Sequence, residues 1–228
     1  MEIVPNVHRV PGVRGANVYL LLGPELTLVD CGMPGNAGTV VTYLEGLGRS
    51  PAELTRIVIT HCHVDHIGSL AALQAHTGAQ VLAHPGDAPV IAGERPQPGP
   101  RGAVMRLLFR LVPAMSQAEP APVDVLLEDG HRLELLGGAT VVHAPGHTPG
   151  SIALHLPAAK LLLTGDVVDH RGNRLGPPPK PFTDDVDQAI MSLRRLAALE
   201  FDVLCPGHGP PVVGGGAGQL RAMVEGLG

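Results

Sequence analysis

Tryptophan is absent from this 228-residue chain, and Tyr19, Tyr43, Phe109, Phe182 and Phe201 are its only tyrosines and phenylalanines. Leu, Val, Ile and Ala must therefore fill the core, and few rings remain on which bases could stack. Basic residues are outnumbered, 16 against 21 acidic, for a formal charge of -5. That balance gives no general attraction to nucleic acid, and no nucleic-acid partner is expected. No uninterrupted apolar run is long enough to span a bilayer, and the opening MEIVPNVHRV lacks a basic region followed by an apolar one. A cytoplasmic protein with no membrane partner is the expectation. Cysteine is limited to Cys31, Cys62 and Cys205, which cannot all pair within the chain and have no paired zinc-finger spacing. A reduced compartment follows.

Apolar residues make up 44% of the chain, enough for one substantial core, so a single domain over 1–228 is expected. Short β-prone runs, at 16–22, 26–31, 54–60 and 79–83, are interleaved with helical patterns at 39–47 and 69–76. Ser69 is placed as an N-cap and Gly78 as a stop. After a loop and helix excursion at about 84–122, strands return at 123–127, 131–136, 140–143, 151–156 and 160–164. A helix over 184–199, a strand at 202–205 and a closing helix over 217–227 complete an α/β reading. The excursion, with Arg106 and Arg110 one helical turn apart, is read as packed on the domain; a pocket lid or a homodimer contact is the alternative.

Histidine is the abundant exception, with 12 residues. Thr60-His61-Cys62-His63-Val64-Asp65-His66 puts three imidazoles and a carboxylate within six positions, directly after an apolar run. Burying so much polar chemistry is costly unless each group is paired or bound to metal. His147 in Pro145-Gly146-His147, Asp166 in Thr164-Gly165-Asp166 and His208 in Pro206-Gly207-His208 follow compact turns at predicted strand ends, and Asp30 ends an early strand. Neutral imidazoles together with charge-balancing carboxylates suit two neighbouring divalent ions.

The ordered set His61-x-His63-x-Asp65-His66, His147, Asp166 and His208 resembles the metallo-β-lactamase-fold hydrolase superfamily, and the likeness spans most of the chain. That resemblance implies a four-layer αββα sandwich with the metal site at one edge of the paired sheets. It implies that His61, His63 and His147 hold one ion, that Asp65, His66 and His208 hold the second, and that Asp166 bridges them. Asp30 would support the motif loop. The size and ligand set look like glyoxalase-II-like thioesterases and small lactonases. However, Val167-Val168-Asp169-His170-Arg171-Gly172 lacks the signature of a close glyoxalase II, and little chain follows His208 for that family's helical extension.

The expected activity is hydrolysis of a small ester, thioester or lactone through a metal-bridging hydroxide, with Asp65 both a ligand and the catalytic group that orients or transfers the proton. Zinc is chosen because hydrolysis needs no redox change, while iron or manganese suits the same ligands. Iron-dependent oxygen or persulfide chemistry and small phosphodiester hydrolysis are the alternatives. His84 and His170 are placed near the pocket as substrate contacts. Cys62 is assigned to packing, because its neighbours alternate into the ligand set and leave it pointing away.

Overall fold

A computed structural model describes residues 1–101 and 117–227. The helix expected over 102–112, with Arg106 and Arg110, lies outside the described residues. A first sheet runs in chain order through seven strands: β1 (Glu2–Val4), β2 (Val7–Arg9), β3 (Tyr19–Leu22), β4 (Leu26–Val29), β5 (Leu54–Val58), β6 (Gln80–Ala83) and β7 (Val125–Leu126). It begins antiparallel and turns parallel from β4 onward. The second sheet contains β8 (Arg132–Leu133), β9 (Ala139–His143), β10 (Ile152–Leu156), β11 (Leu161–Gly165), β14 (Val203–Pro206) and β15 (Val212–Val213), in the order β15-β14-β11-β10-β9-β8. A separate hairpin, β12 (Asp169–Arg171) with β13 (Arg174–Gly176), follows β11.

Strand alternation sorts the apolar side chains into three buried layers. On β4, Leu26 and Leu28 face helices α1 (Ala37–Gly46) and α3 (Leu70–Thr77), joining Val40, Leu44, Leu70 and Leu73. Val29 and Val58 face the other way, against Ile152, Leu154, Leu161 and Leu163 of the second sheet. The opposite face of that sheet presents Ala153, Leu162 and Leu204 to Leu193 and Leu196 of α5 (Val186–Ala197) and Leu220 of α6 (Gly216–Glu225). Three cores between four layers make the αββα sandwich. A fully buried leucine in such a layer contributes about 2 kcal/mol, and truncating Leu154 to Ala would cost about 3 kcal/mol.

Local signals account for the element ends. Asp185 caps α5 by accepting a hydrogen bond from the Gln188 amide at 2.9 Å, and Gly78 stops α3 in the left-handed conformation at φ 71°. Ser69 occupies the N-cap position of α3, but its side chain makes no capping hydrogen bond. Its hydroxyl instead donates to the Met33 carbonyl at 2.7 Å and accepts from the Asn36 amide at 2.8 Å, binding the helix start to the loop after β4. The excursion after β6 opens with a short helix, α4 (Ala88–Ile91), whose Ile91 is buried in the first layer. All three cysteines are buried as free thiols, Cys31 and Cys62 in the first layer and Cys205 in the second. Among the described residues no helix is long and apolar enough to cross a membrane.

The parallel pairs set the site. Val29 pairs with Val58, and Gly165 with Pro206, so β4 and β5 end side by side, as do β11 and β14. The chain segments leaving these ends carry Asp30, the His61–His66 motif, Asp166 and His208. The β9–β10 turn brings His147 to the same edge. The Ile152 amide donates to the Thr60 carbonyl at 2.9 Å and the Asn17 amide to the Gly207 carbonyl at 2.7 Å, which ties the two sheets together there.

Candidate metal centre

Three groups of donor atoms meet at this edge, each within 4.8 Å: His61 with His63 and His147; His61 with His66 and Asp166; and Asp65 with His66 and His208. The motif divides because its backbone changes form. His63 is extended, with ψ 147°, and the short helix α2 (Val64–Ile67) then swings Asp65 and His66 toward the second group. Asp166 reaches both sides. Its Oδ1 lies 3.2 Å from His66 Nε2, and its Oδ2 lies 3.3 Å from His208 Nε2 and 3.6 Å from His147 Nε2. This proximity depends on Gly207, since a Cβ there would overlap Asp166 Oδ1 and stand 2.9 Å from His66 Cε1.

Supporting residues fix which atoms face inward. Asp30, at φ 62°, accepts from the Thr60 amide, the Thr60 hydroxyl and His66 Nδ1, each at 2.8 Å. An aspartate can hold this left-handed conformation where neighbouring bonds compensate its strain. His66 therefore turns Nε2 toward the centre. His61 Nδ1 lies 3.1 Å from the Thr60 hydroxyl, which turns its Nε2 the same way, and His147 Nδ1 lies 3.4 Å from the Thr183 hydroxyl. Such contacts select the tautomer and aim of a metal-binding imidazole.

The inward atoms test whether a metal pair fits. His61 Nε2 is buried without a hydrogen-bond partner among the described residues, and His66 Nε2 and Asp166 Oδ1 face only each other, at 3.2 Å. His63 Nδ1 and His147 Nε2 face each other at 2.8 Å. Orphaned buried acceptors are costly in a folded protein, and two imidazole lone pairs at that distance need a cation or a proton between them. Burial pushes the His61 imidazole well below its ordinary range and brings His63 and His147 down to about 4, so this group is neutral and ready to donate at pH 7. The other side is charged. Burial pulls His66 and His208 down too, but Asp30 and Asp166 outweigh it at His66, and hydrogen bonds to Asp166 and Asp65 lift His208 to about 9. Burial raises the Asp65 carboxyl, yet the His208 hydrogen bond and the His66 charge bring it down to about 2.

A cavity of about 690 Å³ opens over the donors. His63, Asp65, His147, Asp166 and His208 line it, with Met33, Val64, Pro98 and Phe182 among its apolar walls. His84 and His170 are not among the lining residues. The His84 ring stacks on His143 at 3.8 Å, and His170 is buried with Nδ1 donating to the Pro210 carbonyl at 2.6 Å. Burial pushes the Cys62 thiol well up and it packs in the core, which leaves it unsuited to nucleophilic attack.

Asp87 is a supporting residue that the sequence reading passed over. Its buried carboxylate accepts from the Cys62 amide at 2.8 Å, the Thr148 hydroxyl at 2.7 Å and the Gly150 amide at 2.7 Å. It so joins the segment between His61 and His63 to the turn after His147. A signal was present: like Asp166, Asp87 follows an apolar strand and a glycine.

Known proteins resemble this chain in sequence and in fold. The chain is 32% identical over 232 residues, 93% of its own length and 87% of the relative's, to a probable metallo-hydrolase, YflN, of Bacillus subtilis. It is 34% identical over 186 residues to a hydroxyacylglutathione hydrolase of Pseudomonas aeruginosa, covering 57% of that protein's length. A crystal structure of TTHA1623 in a di-iron-bound form superposes with a TM-score of 0.71 at 28% identity, over 95% of this chain and 97% of that one. Residues 11–208 match the metallo-beta-lactamase superfamily, and the chain belongs to that family.

Proposed function

We propose that this metal-dependent hydrolase cleaves the acyl bond of a small ester, thioester or lactone. The observation that carries the reading is the convergence of three donor groups around Asp166, with His61 Nε2 buried and without a hydrogen-bond partner among the described residues, beside an accessible cavity with apolar walls. His61, His63 and His147 would hold one divalent ion, Asp65, His66 and His208 the other, and Asp166 would lie between them. Two such ions supply Lewis acidity that acidifies water and polarises a carbonyl oxygen. Zinc is the assignment, because hydrolysis needs no redox change.

The chain's own groups divide the remaining work. Asp65, with its carboxyl brought down to about 2 and 3.1 Å from His208 Nε2, would accept a hydrogen bond from the attacking water and orient it. Apolar walls at Met33, Val64 and Phe182 suit the carbon skeleton of an acyl group and limit competing water. The relative named for hydroxyacylglutathione supports an acyl thioester as one substrate type.

The test is a panel of thioesters, lactones, simple esters and phosphodiesters, offered to protein loaded with zinc, iron or manganese. Zinc-dependent cleavage of an acyl substrate is expected. Efficient phosphodiester cleavage with the acyl panel untouched would overturn the assignment. The di-iron form of the TTHA1623 structure favours a second reading, iron-dependent oxygen or persulfide chemistry. Oxygen consumption by the iron-loaded protein would support that reading.

A further inference from the structure

The cavity has two chemically different sides. Near His147, the Asp184 amide donates to the His147 carbonyl at 3.2 Å and the Thr183 hydroxyl donates to the Pro179 carbonyl at 3.0 Å, so the segment bearing Pro179 and Phe182 leans on that ligand. Near Asp65, the Ala16 amide donates to the Asp65 carbonyl at 3.2 Å, and a Cβ on Gly15 would stand 3.0 Å from that of Asp65. The loop leaning on Asp65 therefore presents its preceding residue, Arg14, to the cavity.

Arg14 is an exposed residue whose backbone is held in place. Its amide donates to Asn36 Oδ1 at 3.1 Å, and its carbonyl accepts from Asn36 Nδ2 at 2.8 Å and from the Met33 amide at 2.9 Å. Asn36 itself is buried, and Arg14 Nη2 donates to the Pro34 carbonyl at 3.1 Å. Among the described residues Arg14 makes no ion pair, and residues 102–116 contain no Asp or Glu that could supply one. Arg171 also lines the cavity, from the hairpin that packs through His170 on the loop after His208, but its charge is engaged by Asp169 at 3.0 Å. A guanidinium without a carboxylate partner among the described residues, on an anchored loop beside the donor cluster and in a cavity that also has apolar walls, suits a carboxylate on the substrate.

We infer that Arg14 makes the site selective for acyl substrates carrying a carboxylate, with that group on the Asp65 side and the carbon skeleton against Phe182. The inference rests on the hydrolase reading for its substrate type, but the charge preference can be measured apart from turnover. Metal ions would attract any anion to the site, so the decisive quantity is the part of the preference that depends on Arg14.

Two thioesters of one thiol, pentanoyl and glutaryl, differ only in ending with a methyl group or a carboxylate. With metal-loaded full-length protein, kcat/KM should favour the glutaryl compound by about tenfold, mainly through KM, as a charged hydrogen bond would give. Arg14→Ala should bring the ratio near one, Arg14→Lys should retain part of it, and added salt should reduce it in the wild type. A wild-type ratio near one, or a ratio that survives Arg14→Ala, overturns the inference. Calorimetry with glutarate and pentanoate separates it from the hydrolase reading. Tighter glutarate binding that requires Arg14 supports the charge preference even where neither thioester is cleaved; equal binding overturns it whatever the hydrolysis shows.

Discussion

The Asp87 carboxylate accepts a 2.8 Å hydrogen bond from the amide of Cys62, the residue between two metal-ligand candidates. The same group holds Thr148 and Gly150 beside a third, His147, so one buried anion sets the spacing of His61, His63 and His147. Close approach is built in, because a Cβ on Gly150 would stand 2.5 Å from the Asp87 amide nitrogen.

Asp87→Asn places an amide N–H against donors that need an acceptor. Unsatisfied buried groups cost about 1–3 kcal/mol each, so the variant should melt several degrees lower. Metal analysis should show that it retains less metal than the wild type, with the loss at the His61, His63 and His147 group. Lower stability with full metal content would reduce Asp87 to a packing role.

Metal uptake should release protons unequally. His63 and His147, at about 4, are already neutral at pH 7, whereas His66 is raised and His208 stands at about 9. Because metal must displace the protons on the second pair, affinity at the Asp65, His66 and His208 group should rise with pH through about 9, where His208 gives up its proton. Affinity at the first group should change little above about pH 5. Calorimetric titrations in buffers of different ionisation enthalpy read this, and equal proton release at both steps would contradict it.

Thr183→Val removes the hydroxyl 3.4 Å from His147 Nδ1 while keeping the side chain's shape. Loss of such a contact typically weakens metal binding by about tenfold or more. A metal-chelator competition assay should show that loss, accompanied by a fall of a few degrees in melting temperature because the hydroxyl also donates to the Pro179 carbonyl.

Cys62→Ala should retain activity within about threefold and cost roughly 1 kcal/mol in stability, since the thiol fills core space. Loss of turnover in a folded, metal-replete variant would return the thiol to the chemistry.

Much of this was legible in residue order. Strand alternation and short turns located most of the two sheets, and the cluster at 61–66 was conspicuous because such chemistry is expensive to bury. His147, Asp166 and His208 were visible as polar residues behind glycine-bearing turns at strand ends. What could not be read was which loops meet. Asp87 resembles an ordinary turn residue until β6 is seen beside β5, and Arg14 resembles a surface arginine until its loop is seen against Asp65. His84 could not be resolved in the same way: it is not among the cavity's lining residues, and its ring is turned onto His143. Ser69 has the composition of a helix cap, yet the Met33 carbonyl and Asn36 amide offer it a tertiary partner instead.

The most direct test of a binuclear hydrolase is activity followed against metal added to metal-free protein, with content measured at each step. Acyl hydrolysis should follow the second equivalent, and His208→Ala should bind one ion tightly and lose most of its turnover. Full activity at one ion per chain, unchanged by His208→Ala, would contradict it.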